Sequence, residues 1–393
     1  MDLTEDQMSP YQKGSVLEIR LHVPPLPFGF YYSAYPREER VELWTHEDRV
    51  AFALAHPPFD DVPPDPNPEF HTFTIVEDKT QRSSQEQPFG EDGSDQAPLL
   101  LAKVYDGVGN MTLPESGLRE DYNDINDIDG MLRADSDYSI EAGAFEILTT
   151  HDNISGKVVP RYYGCWTFPL EVSLPELPEG QSVQRWVRMI LMEFIKGEST
   201  EAKINRARNP ETRKFQYDLL PPESVRLHVL RQLVETEILL WWEVGLTHQD
   251  FAPRNVMIRE DNSVVVIDFY QVRITTYLKN SDGKTPKERA DDPKLPVSPI
   301  ETYWPFRPSW SFFLVENAAG GCWGTGYFNG GMEMTAEWLI ETWSDDDRYA
   351  PPSEEFLNHV EHMVRSPKII NMLEDLGRAP AASEGPSSIG QDC

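Results

Sequence analysis

The sequence predicts an α+β protein, strand-rich in its first half and mostly helical in its second. Three observations carry that expectation. Apolar runs of strand length recur from Val16 to Met192, as in Leu99-Leu100-Leu101-Ala102-Lys103-Val104-Tyr105. The apolar positions Leu227, Leu230, Val234, Ile238 and Trp241 step by three or four residues, the period of an amphipathic helix. Between Asn255 and Asp268, two β-branched runs flank Asp261-Asn262, a hairpin signal. The 393 residues include 10 Trp, 15 Tyr and 18 Phe, so most of the chain has the aromatic bulk to fold.

Taken in order, residues 1–68 read as an extension that packs on a larger body. Val16 to Val23 partly alternates like a short strand, and Pro24, Pro25, Pro27, Pro57, Pro58, Pro63, Pro64, Pro66 and Pro68 then interrupt it. Phe70 to Val76 reads as a strand, residues 78–98 as polar loop, and Leu99 to Tyr105 as a buried strand containing one lysine. Residues 106–137 form an acidic, irregular insert. Tyr138 to Thr149 reads as a helix, with Ile140, Ala144, Ile147 and Leu148 on one stripe. Val158 to Gly164 and Arg188 to Met192 are further strands, with a loop over 169–184 between them. Pro221-Pro222-Glu223-Ser224 opens the long helix and Gly245 stops it. The region 280–300 is charged and exposed, helices follow near Thr335–Thr342 and Glu354–Val364, and the tail from Ala379 is small and polar, hence disordered.

Charge narrows the function classes. Acidic residues outnumber basic ones 66 to 35, a formal charge of −31. Such a surface repels phosphate backbones and anionic lipid, which argues against nucleic-acid or membrane partners. Cys165, Cys322 and Cys393 are too scattered for a disulfide framework or a metal-ligand spacing. The opening Met1-Asp2-Leu3-Thr4-Glu5-Asp6 lacks the basic and apolar regions of a secretory signal, and no apolar run approaches a membrane span. The expectation is an intracellular protein, in the cytoplasm or the nucleus.

The informative segment runs from His248-Gln249-Asp250 through Asn255 to Ile267-Asp268-Phe269-Tyr270. With Asp261 and Asn262 as the two loop residues, Glu260 pairs with Ser263, and counting outward puts Asn255 opposite Asp268. Opposed residues in an antiparallel pair share a face, so the turn alone predicts that the two converge. One amide oxygen and one carboxylate suit a hard divalent cation such as Mg²⁺. Asp250, five residues before Asn255, lies near the same point, where a carboxylate serves phosphoryl transfer as a base.

This pattern resembles the catalytic and metal-binding loops of the protein-kinase-like superfamily, more those of fungal kinase-like proteins and aminoglycoside-phosphotransferase relatives than those of ordinary protein kinases. His248-Gln249-Asp250 resembles His-Arg-Asp, Asn255 takes the place of the metal-binding Asn, and Asp268-Phe269-Tyr270 resembles Asp-Phe-Gly. The resemblance implies Asp250 as catalytic base and Asn255 and Asp268 as Mg²⁺ ligands. It also implies a strand lysine and a helix acid upstream. Lys103 fits the first, since a lone lysine in so apolar a strand is costly unless paired. Glu141 fits the second, with Glu146 its rival one turn along. Ile190 to Gly197 resembles the last amino-lobe strand and hinge, where Met192, Glu193 and Ile195 would meet an adenine. The implied fold is two-lobed, with a small antiparallel-sheet amino lobe over 69–193 and a mostly helical carboxyl lobe over 194–375, flanked by the extension 1–68 and a disordered tail 376–393.

Some positions depart from the resemblance. No Gly-x-Gly-x-x-Gly precedes Lys103, and Phe89-Gly90-Glu91-Asp92-Gly93 brings acids to that place. Tyr270 replaces the glycine of Asp-Phe-Gly, Ala252 stands where Ser/Thr kinases carry a lysine, and no Ala-Pro-Glu follows. Gly324 to Gly330 imitates a phosphate loop by letter but reads as a turn-rich loop. The expected activity is ATP- and Mg²⁺-dependent transfer of the γ-phosphoryl group to a hydroxyl acceptor, a small molecule rather than a protein. The alternative is a weak or inactive pseudokinase acting as a scaffold.

Overall fold

Backbone hydrogen bonding, not hydropathy alone, decides where the strands fall. The computed structural model describes residues 11–36, 46–63, 65–76, 79–81, 84–91, 99–108, 130–172, 181–209, 211–212, 216, 219–291, 294–304, 331–361 and 366–377. The protein is mixed α+β, with a curled antiparallel sheet and helices. By contacts it divides into two compact units, Met1–Ala202 with Glu243–Thr285, and Lys203–Trp242 with Pro286–Cys393.

The first unit carries the main sheet: β1 (Val16–Leu21), β2 (Phe70–Ile75), β3 (Lys79–Gln81), β4 (Ser84–Glu91), β5 (Leu99–Tyr105), β6 (Tyr162–Val172) and β7 (Val183–Glu193). Their order is β2-β1-β6-β7-β5-β4-β3, all antiparallel. β2 also pairs with β4, so six of the strands close into a ring. Closure satisfies backbone groups that an open edge would leave exposed. Inward-facing residues alternate along each strand, and Leu17, Ile19, Phe73, Ile75, Leu100, Ala102, Val104, Phe168, Val187, Met189 and Leu191 fill the ring with Tyr11. Helix α1 (His46–Ala55) belongs to a smaller cluster in which Val50 and Ala53 meet Val108 and Met131. Helix α2 (Gly130–Leu148) packs on the outer face of β5 and β7.

The polar loop expected over 78–98 is corrected. It contains β3 and β4, because β4 finds a partner on each side and tertiary pairing overrides a weak local preference. The segment 16–21, expected in an appended extension, is a strand of the ring. Of the expected acidic insert, residues 130–137 are the start of α2 and residues 109–129 lie outside the described residues. Helix α2 is buried over most of its surface rather than along one stripe, with Arg133 and Glu146 exposed, which is why its first turns carry no clear amphipathic signal. The expected loop over 169–184 shortens, since β6 runs to Val172 and β7 begins at Val183.

After β8 (Gly197–Ser199) and α3 (Thr200–Arg206), the second unit holds α4 (Glu223–Leu239). Leu240–Val244 then forms one π-helical turn, and Gly245 follows at φ 72°. The extra residue in that turn shifts the buried phase, so Trp242 is buried and Trp241 is 37% exposed, not the buried residue the spacing predicts. The first unit resumes with β9 (Leu246–His248), β10 (Val256–Arg259), β11 (Val264–Val266) and β12 (Val272–Ile274). In the second unit, α5 (Pro286–Arg289), α6 (Pro299–Thr302), α7 (Gly331–Trp343), α8 (Glu354–Glu361) and α9 (Pro367–Gly377) complete the chain. Val234, Ile238, Ile300, Tyr303, Leu339, Ile340, Trp343, Val360, Ile369 and Leu373 make its core. The glycine run 324–330 and the tail 378–393 lie outside the described residues, and among the described residues no helix is long and apolar enough to cross a membrane.

Candidate active site

Strand β5 explains the placement of Lys103. Its even-numbered residues enter the ring, so Leu101, Lys103 and Tyr105 take the opposite face, which α2 covers. Lys103 is 2% exposed. Its Nζ donates to Glu141 Oε2 at 2.6 Å and to Asp268 Oδ1. The ammonium also lies 5.1 Å from the centre of the Tyr270 ring and 5.8 Å from that of Tyr105. Glu141, fully buried on α2, further accepts the Tyr105 hydroxyl at Oε2 (2.5 Å) and the Phe269 N–H at Oε1 (3.2 Å). Glu146, the rival acid, is exposed.

Burial alone would push the Lys103 ammonium down, but the carboxylates of Asp268 and Glu141 outweigh it and hold its pKa above the ordinary lysine range. Burial pushes the Glu141 carboxyl up, and Lys103 opposes that rise. One turn earlier on α2, burial pushes the Asp137 carboxyl up to about 7, against the pull of Arg133 and Lys103 and with the repulsion of Glu141 and Asp268. Asp137 is a member of the site's charge balance that sequence reading placed in the acidic insert.

The hairpin that delivers Asp268 differs by one residue from the sequence expectation. Val256, Met257 and Ile258 pair with Val266, Val265 and Val264. The loop is therefore Glu260-Asp261-Asn262, with Asn262 left-handed at φ 65° and the Ser263 N–H bonded to Asp261 Oδ1 at 2.9 Å. Asn tolerates that conformation, which converts a two-residue turn into a three-residue one. Asn255 thus lies opposite Ile267, whose N–H donates to the Asn255 carbonyl at 2.9 Å, and not opposite Asp268. Asp268 itself turns left-handed, φ 70° and ψ 68°, as it leaves the hairpin for Lys103. Phe269 is buried against Phe145 of α2, ring centres 5.4 Å apart, and against His248 at 5.3 Å.

His248 ends β9, which pairs with β12 through His248 and Val272. Its Nε2 lies 3.1 Å from the Ile267 carbonyl, and since a carbonyl only accepts, Nε2 carries the proton. Burial pushes the His248 pKa down, so the ring is neutral near pH 7 and ties β9 to the residue before Asp268. Asp250 follows in the loop. Its Oδ2 accepts the Asn255 Nδ2 at 2.9 Å, and Nδ2 also reaches the Asp250 carbonyl at 2.9 Å. Arg254 Nη2 meets both Asp250 oxygens, at 2.5 and 2.6 Å. Sequence reading missed Arg254, although its spacing of four from Asp250 was visible.

No family model and no curated protein matches the chain.

The structure therefore gathers Lys103, Glu141 and Asp268 directly, and Asp250 with Asn255 directly, and joins the two groups through Ile267, which bonds both Asn255 and His248. The donor set suits a hard cation. Asn255 spends its amide nitrogen on Asp250, which leaves its amide oxygen, and Lys103 takes one oxygen of Asp268, which leaves the other. Among the described residues no cluster of three or more His, Cys, Asp or Glu is grouped as a ready metal cage. Met192 and Glu193 end β7 opposite Leu101 and Leu100, so they flank the strand that carries Lys103. The Glu193 N–H is taken by the Arg161 carbonyl at 2.8 Å. Ile195, two residues on, is buried.

Proposed function

We propose that this protein is an ATP- and Mg²⁺-dependent phosphotransferase of the protein-kinase-like superfamily, with the two-lobed fold of that superfamily, transferring the γ-phosphoryl group to the hydroxyl of a small molecule inside the cell. The observation that carries the reading is Lys103, a fully buried ammonium held between Glu141 and Asp268. Stability alone gives little reason for such a triad, because well-packed apolar residues in its place would be about as favourable or more so. A phosphate-binding role explains it.

In this reading Lys103 donates to the α/β-phosphates, and Glu141, locked by Tyr105 and the Phe269 N–H, orients it. Asn255 Oδ1 and Asp268 would hold Mg²⁺, which when bound neutralises phosphate charge. The hinge backbone at Glu193 and Ile195, beside Met192, would bind the adenine. Asp250 accepts the proton of the acceptor hydroxyl, held in place by Asn255 and released as Arg254 swings aside. Ala252, Tyr270 and the lack of Ala-Pro-Glu favour a small acceptor over a protein. The test is γ-phosphoryl transfer from ATP to a panel of hydroxylated small molecules. Transfer that disappears in Asp250→Asn supports the reading, and turnover retained in both Asp250→Asn and Asp268→Ala removes it.

A second reading, a scaffold without catalysis, is favoured by one observation: Asp268 and the Tyr270 ring already occupy the Lys103 ammonium. It is distinguished by nucleotide binding, since a scaffold with a filled site gains no stability from ATP.

A further inference from the structure

We propose that Pro24–Tyr32 is a strap that positions the site, with the Tyr32 hydroxyl as its anchor on β12 and Pro27 and Phe28 as its grip on α2. The proposal rests on the phosphotransferase reading only for what the positioned groups go on to do.

The chain entering the strap is fixed at His22. Its Nε2 bonds Asp60 Oδ1 at 2.8 Å, so its Nδ1 is the acceptor for the Tyr138 hydroxyl on α2, 2.5 Å away. Asp60 also accepts from Arg188 at 2.5 Å, which fixes this end to β7. The chain then runs along α2. Ser136 Oγ donates to the Phe28 carbonyl at 2.9 Å, and the Phe28 N–H reaches Ser139 Oγ at 3.4 Å. Pro27 lies against Gly143 so closely that a Cβ there would come within 2.8 Å of the Pro27 ring. These contacts fall on both sides of Glu141.

The chain turns at Gly29, φ 77°, and delivers Tyr32 to β12. Tyr32 is 3% exposed, and its hydroxyl donates to the Val272 carbonyl at 2.7 Å while accepting the Ile274 N–H at 3.0 Å. One phenol thus serves as the neighbouring strand for the edge of β12 that faces away from β9. Next to it, Arg273 lies over the Tyr31 ring at 4.8 Å. β12 begins directly after Asp268-Phe269-Tyr270-Gln271. A single short segment therefore holds the helix that bears Glu141 and the strand that follows Asp268, the two acids that meet on Lys103. Sequence reading saw these prolines as punctuation in an extension, because the partners lie more than a hundred residues away.

The Phe269 N–H to Glu141 bond reports whether those two parts remain in register. The experiment is hydrogen–deuterium exchange of the nucleotide-free full chain, resolved to the Phe269 amide, with the β7 amides Val187–Leu191 as the internal reference. Tyr32→Phe keeps the ring and removes both hydroxyl bonds. The strap predicts exchange at Phe269 about tenfold faster, with the β7 reference unchanged. Gly143→Ala supplies an opposite-sign check. Helix propensity alone predicts a firmer α2 and slower Phe269 exchange, whereas a strap pushed off by the new methyl predicts faster Phe269 exchange. Phe269 exchange unchanged in both variants, or rising only in step with the β7 reference, overturns the proposal. Because no nucleotide is present, a protein without phosphotransfer activity still gives a decisive answer here.

Discussion

Lys103 and Arg254 are both cations bonded to a carboxylate, 165 residues away in the chain for Lys103 and four for Arg254, but Lys103 is 2% exposed while the Arg254 side chain is 56% exposed. The contrast separates two tasks. A buried ammonium cannot leave its acids without stranding charge in a low-dielectric interior, so Lys103, Glu141 and Asp268 form a fixed part. An exposed guanidinium gives up its partner to water at little cost, so Arg254 can cover Asp250 and uncover it. The carboxylate assigned the chemical step is thus the one whose cation is free to move. Glu141 on α2 and Asp268 after the hairpin hold the ammonium in place.

Removing either side of this contrast gives the strongest tests. Lys103→Met leaves Glu141 and Asp268 facing each other without a cation, and should cost about 3–5 kcal/mol in denaturant unfolding as well as all turnover. Asp250→Asn should do the reverse, lowering kcat about 10²–10⁴-fold while thermal unfolding stays within about a degree. If Asp250→Asn unfolded as readily as Lys103→Met, the division into holding and reacting groups would fail.

The pH dependence sharpens the buried half. Asp137 rises from the ordinary carboxylate range to about 7, so the folded protein keeps a proton that the unfolded chain releases between about pH 4 and 7. Stability contributed by this group therefore falls as pH rises through that window and levels off above it. Asp137→Asn should remove the fall and raise Tm by a few degrees at pH 8, with little change at pH 4. A Tm difference equal at both pH values would contradict the assignment. The smallest effect belongs to the exposed half: Arg254→Ala should change stability by less than about 0.5 kcal/mol, measured by denaturant midpoint.

How much of this was legible in the sequence depended on the range of the interaction. Lys103 stood out because an isolated lysine in an apolar strand needs a partner, and Glu141 lies on the next described helix. The hairpin was legible but its register was not, since Asn262 can take a left-handed conformation that lengthens the loop by one. Asp268 nonetheless reaches Lys103 because its own left-handed backbone redirects it. Tyr32, Tyr105 and Asp137 carried no signal. Each acquires its role from a partner distant in sequence or from burial that only the packed fold creates. The same holds for β1, whose pairing with β2 and β6 closes the ring and could not be read from a short alternating run.

The central claim is that Lys103, Glu141, Asp268, Asp250 and Asn255 serve one nucleotide, and thermal unfolding with ATP measures it most directly. With Mg²⁺ present and ATP at about a hundred times its Kd, the protein should gain about 2.7 kcal/mol, a rise in Tm that Asp268→Ala abolishes. An unchanged Tm for the wild-type protein at millimolar ATP, with and without Mg²⁺, would contradict it.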